Sequence, residues 1–288
     1  MTESKGLTPV YIEAFNLDDA WFQCLSKILD FGHTYTITRG SFQGQRRLEF
    51  DYVAVQIKKP GQRPIIPMIP EGSSIPAPTS MEYVEQYMNY LLTGVKQAGE
   101  DYTYGERLVD PRVIVRLPAC PVRGSDSNGV RLQPTIPGSN SPALSSERAG
   151  SNCQSKVPGT QDAANMFKEM PLDVNQIEEV IKMYKKDGHG TNQATMEIGM
   201  PSDIKLVDPP CLRIIDTRIR YGKLHFMLYF RSWDLWAGFP SNLAGLQLLK
   251  EYMAGEIGVE DGEIIAASKG MHLYEYTWEV ARMRTQKT

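Results

Sequence analysis

The sequence predicts an α+β fold. Two β-rich segments, residues 212–219 (LRIIDTRI) and 224–231 (LHFMLYFR), flank Arg220-Tyr221-Gly222-Lys223, a two-residue hairpin loop with Gly at a turn position. Four other segments carry apolar residues at helical spacing with start or stop signals. Strand-like and helix-like stretches then interleave along the chain. At 288 residues there is enough chain for a large core. We expect a single domain over 1–288.

In chain order, residues 17–30 place Trp21, Leu25, Ile28 and Leu29 on one helical face, with acids in the first turn. Residues 33–57 read as two strands around Arg39-Gly40-Ser41-Phe42-Gln43-Gly44. A Gly-flanked Arg in such a loop either grips a phosphate or tips a solvated hairpin. Residues 58–79 are Pro-rich and read as a loop. Thr79 with Glu82 makes a capping-box signal for a helix through about Gly94, whose stripe of Tyr83, Tyr87, Tyr90 and Leu91 reads as core packing. Tyr102 to Arg107 reads as an aromatic-Gly turn, followed by a strand over 113–117.

From 118 to 165 there is no Phe, Trp or Tyr, and Ser, Gly, Pro and Asn dominate. Such a segment buries little apolar surface, so a flexible surface insertion is expected. Asp173 with Gln176 then caps a helix with Ile177, Val180, Ile181 and Tyr184 on one face, ending at Gly188. Residues 193–199 read as a strand. Pro240 opens a helix carrying Leu243, Leu246, Leu249 and Met253, closed near Gly255 or Gly258. Residues 263–268 form a last strand. His272 and Tyr274, two apart in an extended stretch, share one face.

The net charge is -3, which gives no sign of DNA or bulk nucleic-acid binding. No apolar run approaches the roughly 20 residues of a membrane span, and the N-terminus shows no signal-peptide core, so a cytoplasmic location is expected. Cys24, Cys120, Cys153 and Cys211 are scattered with no CxxC, and the four His do not cluster. That pattern suits a reducing compartment and gives no metal signature.

The hairpin carries the chemistry. Its register sets Cys211 opposite Ser232 with Arg231 beside it, within about 5 Å across the strands. A guanidinium there favours the thiolate. The alternative is a buried structural Cys beside a surface Arg.

Pro209-Pro210-Cys211, Gly222-Lys223-Leu224, Arg231-Ser232-x-Asp234, Gly238-Phe239-Pro240-x-Asn242 and His272-x-Tyr274 together resemble the thymidylate synthase pattern, with its spacings. The resemblance is clearest from about Thr191 to Ala281, and nearest the divergent archaeal-type branch, within a superfamily that includes pyrimidine hydroxymethylases. It implies a mixed, twisted sheet with helices on one face, the other face meeting a second copy in a homodimer. It implies a methyltransferase that converts dUMP to dTMP with 5,10-methylenetetrahydrofolate as co-substrate and no metal. Cys211 would attack C6 of the pyrimidine. Arg231 and Arg39 would hold phosphate. Ser232 and Asp234 would add phosphate and base-edge contacts. Asn242 would read uracil O4 and N3–H, and His272 and Tyr274 the sugar hydroxyl. Trp233 and Trp236 would line the folate pocket beside Tyr104 or merely fill core. Glu85 resembles the family's catalytic glutamate, with Glu82 and Glu71 as competitors.

The sequence also departs from the pattern. Thr191-Asn192 stand where the family has an arginine pair given to the partner's phosphate, leaving Arg107 or Arg39 to substitute. Lys269-Gly270 replace a Gly-Asp. The family's closing segment has no counterpart beyond Trp278, so lid closure is expected to differ. Two alternatives follow from the resemblance: a 5-hydroxymethylase of the same fold, in which water captures the exocyclic methylene, and a non-catalytic nucleotide- or RNA-binding relative.

Overall fold

The computed structural model describes residues 6–116 and 167–287; the 118–165 insertion, with Cys120 and Cys153, lies outside the described residues. The chain divides into two units, Met1–Arg112 with Pro171–Thr288, and Val113–Met170. The elements begin with β1 (Pro9–Ala14), α1 (Leu17–Phe31), β2 (His33–Thr36), β3 (Arg46–Glu49), β4 (Tyr52–Ile57), α2 (Met81–Leu91) and α3 (Tyr104–Val109). Then come β5 (Arg112–Arg116) and β6 (Phe167–Pro171), which pair as a two-stranded sheet. The rest are α4 (Gln176–Asp187), β7 (Thr195–Glu197), β8 (Leu212–Arg220), β9 (Lys223–Phe230), β10 (Trp233–Asp234), α5 (Gly238–Ile257), β11 (Glu260–Ser268), β12 (Met271–Tyr274) and α6 (Trp278–Thr285).

The main sheet is mixed, in the order β1-β4-β11-β9-β8-β7. The β1–β4 and β11–β9 pairs are parallel and the others antiparallel. Alternate residues, among them Val53, Val55, Phe226, Leu228, Ile264 and Ala266, are buried in the core. Helix α5 packs on β9 and β11 and touches α1, α2 and α4. It is buried on nearly every side, from Phe239 to Ala254, as expected of a helix that is apolar all round. Residues that alternate with the core ones, such as Tyr11, Gln56, Met227, Tyr229 and Ile265, are exposed or half-buried. No helix among the described residues is long and apolar enough to cross a membrane.

Most helices follow their sequence signals. Asn16, Ser80 and Asn175 each accept an amide three residues on, a cap contributing about 1 kcal/mol. The caps of α2 and α4 are therefore Ser80 and Asn175, not Thr79 and Asp173. The expected turn at 102–107 is instead α3, because the Thr103 hydroxyl accepts from Glu106 N and starts a helix.

Residues 33–57 make three strands rather than two. The chain breaks at Phe50-Asp51 and changes sheets, with Phe50 fully buried at the corner. Strand β3 joins a second sheet, β10-β12-β3-β2, while β4 enters the main one.

The β8–β9 hairpin keeps its expected register from Arg220↔Lys223 to Ile214↔Tyr229, then slips, since Leu212 pairs with Phe230. Arg213 is the extra residue. Its carbonyl accepts from both Ile198 N and Gly199 N, and its guanidinium turns to Asp203. The bulge moves Cys211 opposite Arg231 instead of Ser232, with Arg231 N donating to Cys211 O at 2.8 Å.

Candidate active site

Cys211 is half-buried at the base of β8. The segment leading into it wraps the Arg231 guanidinium. Nε donates to Pro209 O at 3.1 Å and Pro210 O at 3.2 Å, and Nη2 reaches Asp208 Oδ1 at 3.1 Å. The Cys211 thiol is pushed above its ordinary pKa. Burial is the main cause, with the Asp208 and Asp234 charges adding to it; Arg231 and Arg47 pull the other way. The expectation that Arg231 makes Cys211 a ready thiolate is corrected here: Arg231 acts in that direction, but burial outweighs it and Asp208 counters part of its charge.

The second sheet builds the next wall. Strand β12 lies between β10 and β3, so His272 stands beside Asp234 and Glu49, and Tyr274 opposite Arg47. His272 is 3% exposed. Its Nδ1 lies 2.8 Å from Gly270 O and 3.4 Å from Ser232 Oγ. A carbonyl only accepts, so Nδ1 carries the proton and Nε2 presents a lone pair. That Nε2 is buried without a partner. Burial lowers the His272 pKa to about 4, which keeps it neutral. Tyr274 sets its ring edge against His272, with centroids 4.7 Å apart, and Phe42 packs on it at 4.8 Å.

Arg47 was not singled out from sequence. It pairs with Glu49 and lowers the pKa of both Cys211 and His272. Only the β3–β12 register reveals it.

The start of α5 supplies the amide. Asp234 accepts from Trp236 N, Ala237 N and Gly238 N at 3.0–3.2 Å and so caps the helix rather than facing a ligand. Burial raises its pKa against those three donors. Trp233 is 1% exposed and stacks on Phe230 at 3.8 Å. Its Nε1 donates to Asn242 Oδ1 at 3.1 Å. An indole N–H only donates, so this contact fixes the amide orientation and turns Nδ2 toward the Tyr87 hydroxyl, 3.1 Å away.

Beyond Tyr87 opens a cavity of about 690 Å³ lined by Tyr83, Tyr87, Tyr90, Tyr102, Tyr104 and Asp208. The α2 tyrosines therefore line a cavity instead of filling the core, and Tyr83 is 53% exposed. The Tyr104 hydroxyl accepts from Leu212 N at 3.2 Å, next to Cys211. Burial first, then the Cys211 charge, raises the pKa of Tyr102 and Tyr104, so both stay phenols. Among the described residues no cluster of three or more His, Cys, Asp or Glu is arranged to hold a metal ion.

Residues 155–288 match the thymidylate synthase family model. Proteins provisionally named thymidylate synthases in Methanosarcina acetivorans and Methanococcoides burtonii are 27% and 28% identical over 93% of this chain and 91% of their own length. A Listeria monocytogenes thymidylate synthase is 31% identical over 40% of this chain and 37% of its own. Over residues 155–288 the chain is thus similar to the thymidylate synthase family, and along most of its length it resembles distant relatives named for that activity.

Against the family pattern, Cys211, Arg231, Ser232, Asn242, His272 and Tyr274 fall within one connected set of contacts, and Tyr104 joins it through Leu212. Trp233 and Trp236 do not line the cavity. Trp233 is core and orients Asn242, while Trp236 is 7% exposed and packs on Trp21 with centroids 5.2 Å apart. Their indoles are large apolar surfaces next to α5, and packing claims them. Glu85 is exposed on α2 and is not among the cavity-lining residues. Glu82 and Glu71 are exposed too. Arg39 sits at the exposed β2–β3 tip and donates to Leu206 O at 3.2 Å, while Ser41 Oγ donates to Asp208 at 3.0 Å. The tip thus rests on the segment that wraps Arg231. Arg107 is buried on Asp203 at 3.0 Å, so it does not stand in for the arginines missing at Thr191-Asn192.

Proposed function

We propose that this protein is a thymidylate synthase, converting dUMP to dTMP with 5,10-methylenetetrahydrofolate through a covalent Cys211 adduct at pyrimidine C6. The observation that carries this reading is the fixed Asn242 amide, joined through Tyr87 to the neighbourhood of Cys211. With Oδ1 accepting from Trp233 and Nδ2 donating to Tyr87, the amide keeps one further lone pair and one further hydrogen, the complement of uracil N3–H and O4. A cytosine edge would call for an acidic acceptor.

The remaining roles follow from what each group lacks. The phosphate displaces Asp208 from Arg231 and draws in Ser232 Oγ and Arg39. The lone pair of His272 Nε2 accepts the sugar hydroxyl, with Tyr274 beside it. Asp234 contributes by capping α5 rather than by touching the ligand. Methylenetetrahydrofolate enters the tyrosine-lined cavity, where aromatic faces suit a flat pterin. Cys211 adds to C6, C5 attacks the methylene carbon, C5 then loses its proton as the folate leaves, and the folate returns a hydride to the exocyclic methylene as the Cys211 sulfur is expelled, ending as dihydrofolate. The half-exposed face of the main sheet, around Tyr229 and Ile265, is the surface for a second copy in a homodimer. Glu85 has no place in this reading, because its helix turns it away from the cavity.

The test is intact-protein mass after incubation with 5-fluoro-dUMP and methylenetetrahydrofolate, beside Cys211→Ala. An adduct carrying both ligands, absent in the variant, is expected, with dTMP as the product of dUMP. A 5-hydroxymethyl product would replace methylation with hydroxymethylation. Binding of dUMP without any adduct would overturn catalysis.

A further inference from the structure

Tyr87 joins the Asn242 amide to the tyrosine-lined cavity. Helix α2 turns Tyr83, Gln86, Tyr87 and Tyr90 into the cavity. Glu85, two residues before Tyr87, lies about 200° away around the helix. The Tyr87 ring packs against bare backbone at Gly245 on α5, where a Cβ would come within 2.3 Å of Cδ1 and 2.9 Å of Cε1. Gly245 therefore admits the ring at this depth.

The hydrogen-bond directions are set by chemistry. Trp233 holds Asn242 Oδ1, so Asn242 Nδ2 donates and the Tyr87 oxygen accepts. The Tyr87 hydroxyl hydrogen has no acceptor among the described residues. Burial, with the Asn242 bond opposing it and the Cys211 charge adding to it, raises the Tyr87 pKa, so the group is a donor and not a base. Asn242 and Tyr87 thus present two adjacent hydrogens, one N–H and one O–H.

We propose that Tyr87 is the acid partner of the pyrimidine C4 carbonyl, donating its hydroxyl hydrogen to O4 as Cys211 adds to C6. This inference rests on the uracil reading above. In the step, Cys211 gives up its thiol proton to solvent, the S–C6 bond forms and the C5–C6 π pair moves to C4–C5. The C4–O4 π pair moves onto O4, which takes the Tyr87 hydrogen bond or its proton. When C5 attacks the methylene carbon the carbonyl re-forms and the proton returns to Tyr87. No carboxylate is needed at this position. A donor aimed at a developing oxyanion contributes mainly in the transition state.

Tyr87→Phe keeps the ring on Gly245 and removes only the hydroxyl. Tritium release from [5-³H]-dUMP and kcat are expected to fall about 100-fold, the scale for loss of one oxyanion donor, with KM for dUMP within about threefold. The rate of Cys211 alkylation by iodoacetamide should stay at the wild-type value, showing the nucleophile intact. If wild type forms the fluoro-dUMP adduct and Tyr87→Phe matches it in kcat and tritium release, Tyr87 is not the acid partner, while the dUMP reading stands. A raised KM with unchanged kcat would likewise overturn the proposal and leave Tyr87 as a support for Asn242. If wild type forms no adduct, the dUMP reading fails and this inference with it.

Discussion

The two walls of the site contrast in how their polar groups are used. On the hairpin wall, cations and acids are already engaged with one another: Arg231 with Asp208 and two proline carbonyls, Arg47 with Glu49, and Asp234 with three amides. On the α2–α3 wall phenols line an open cavity, with Glu100 and Asp101 on its rim and no cation among its lining residues. A wall that neutralises itself must be opened by its ligand, so the strength of its internal contacts sets affinity. A wall of phenols is open already, and its contribution appears in geometry and transition-state charge.

Removing the nucleophile should give the largest effect. Cys211→Ser is expected to lower kcat by on the order of 10⁴-fold or more, and intact-mass analysis should show no adduct. Retained turnover would remove the hairpin wall from the chemistry.

Next comes the buried imidazole. An unfolded His titrates near 6.5, whereas folded His272 titrates at about 4. Between those values the unfolded state binds more protons. Stability is therefore lost as the pH falls from above 6.5 toward 4, on the order of 3 kcal/mol in all. Urea melts at pH 7.5 and 4.5 should show this loss in wild type and much less of it in His272→Gln.

Trp233→Phe tests the hinge between the walls. Without the indole donor the Asn242 amide is free to turn over, and the preference for dUMP over dCMP should fall about tenfold in kcat/KM. An unchanged preference would mean that Trp233 is core alone. The smallest effect is expected from Asp208→Asn. Freed from its carboxylate, Arg231 should bind dUMP about three- to fivefold more tightly at low salt, with the gain fading as ionic strength rises. Because the Asp208 charge helps raise the Cys211 pKa, the variant's thiol should also alkylate faster at pH 7.

The same contrast explains what the sequence made legible. Helices α1, α4 and α5 followed from apolar spacing, and the β8–β9 register held until Arg213. Local rules reach that far. The bulge depends on Ile198 and Gly199 sharing one carbonyl, a contact between separate segments. Arg47 entered the site through pairing across strands more than 220 residues apart in number. The α2 tyrosines read as core by spacing alone, because nothing local shows that Gly245 would admit Tyr87 while a cavity opens beside its neighbours. Trp233 and Trp236 left two readings open, ligand wall or core, because a tryptophan in a motif suits either until packing claims it. Asp234 was expected to touch the ligand, but its carboxylate is taken up by three backbone amides.

The enclosure of α5 carries a consequence for how the molecule breathes. A helix buried on nearly every side can exchange its amide hydrogens only when much of the core opens. The β2–β3 tip, exposed around Arg39, should exchange within seconds. Asn242 is thus anchored to the part of the chain that opens most rarely, and Arg39 to one that opens most often. In deuterium-exchange mass spectra the Asn242 end of the site should stay unlabelled long after the Arg39 end is saturated. A bound nucleotide should protect the tip strongly and α5 hardly at all.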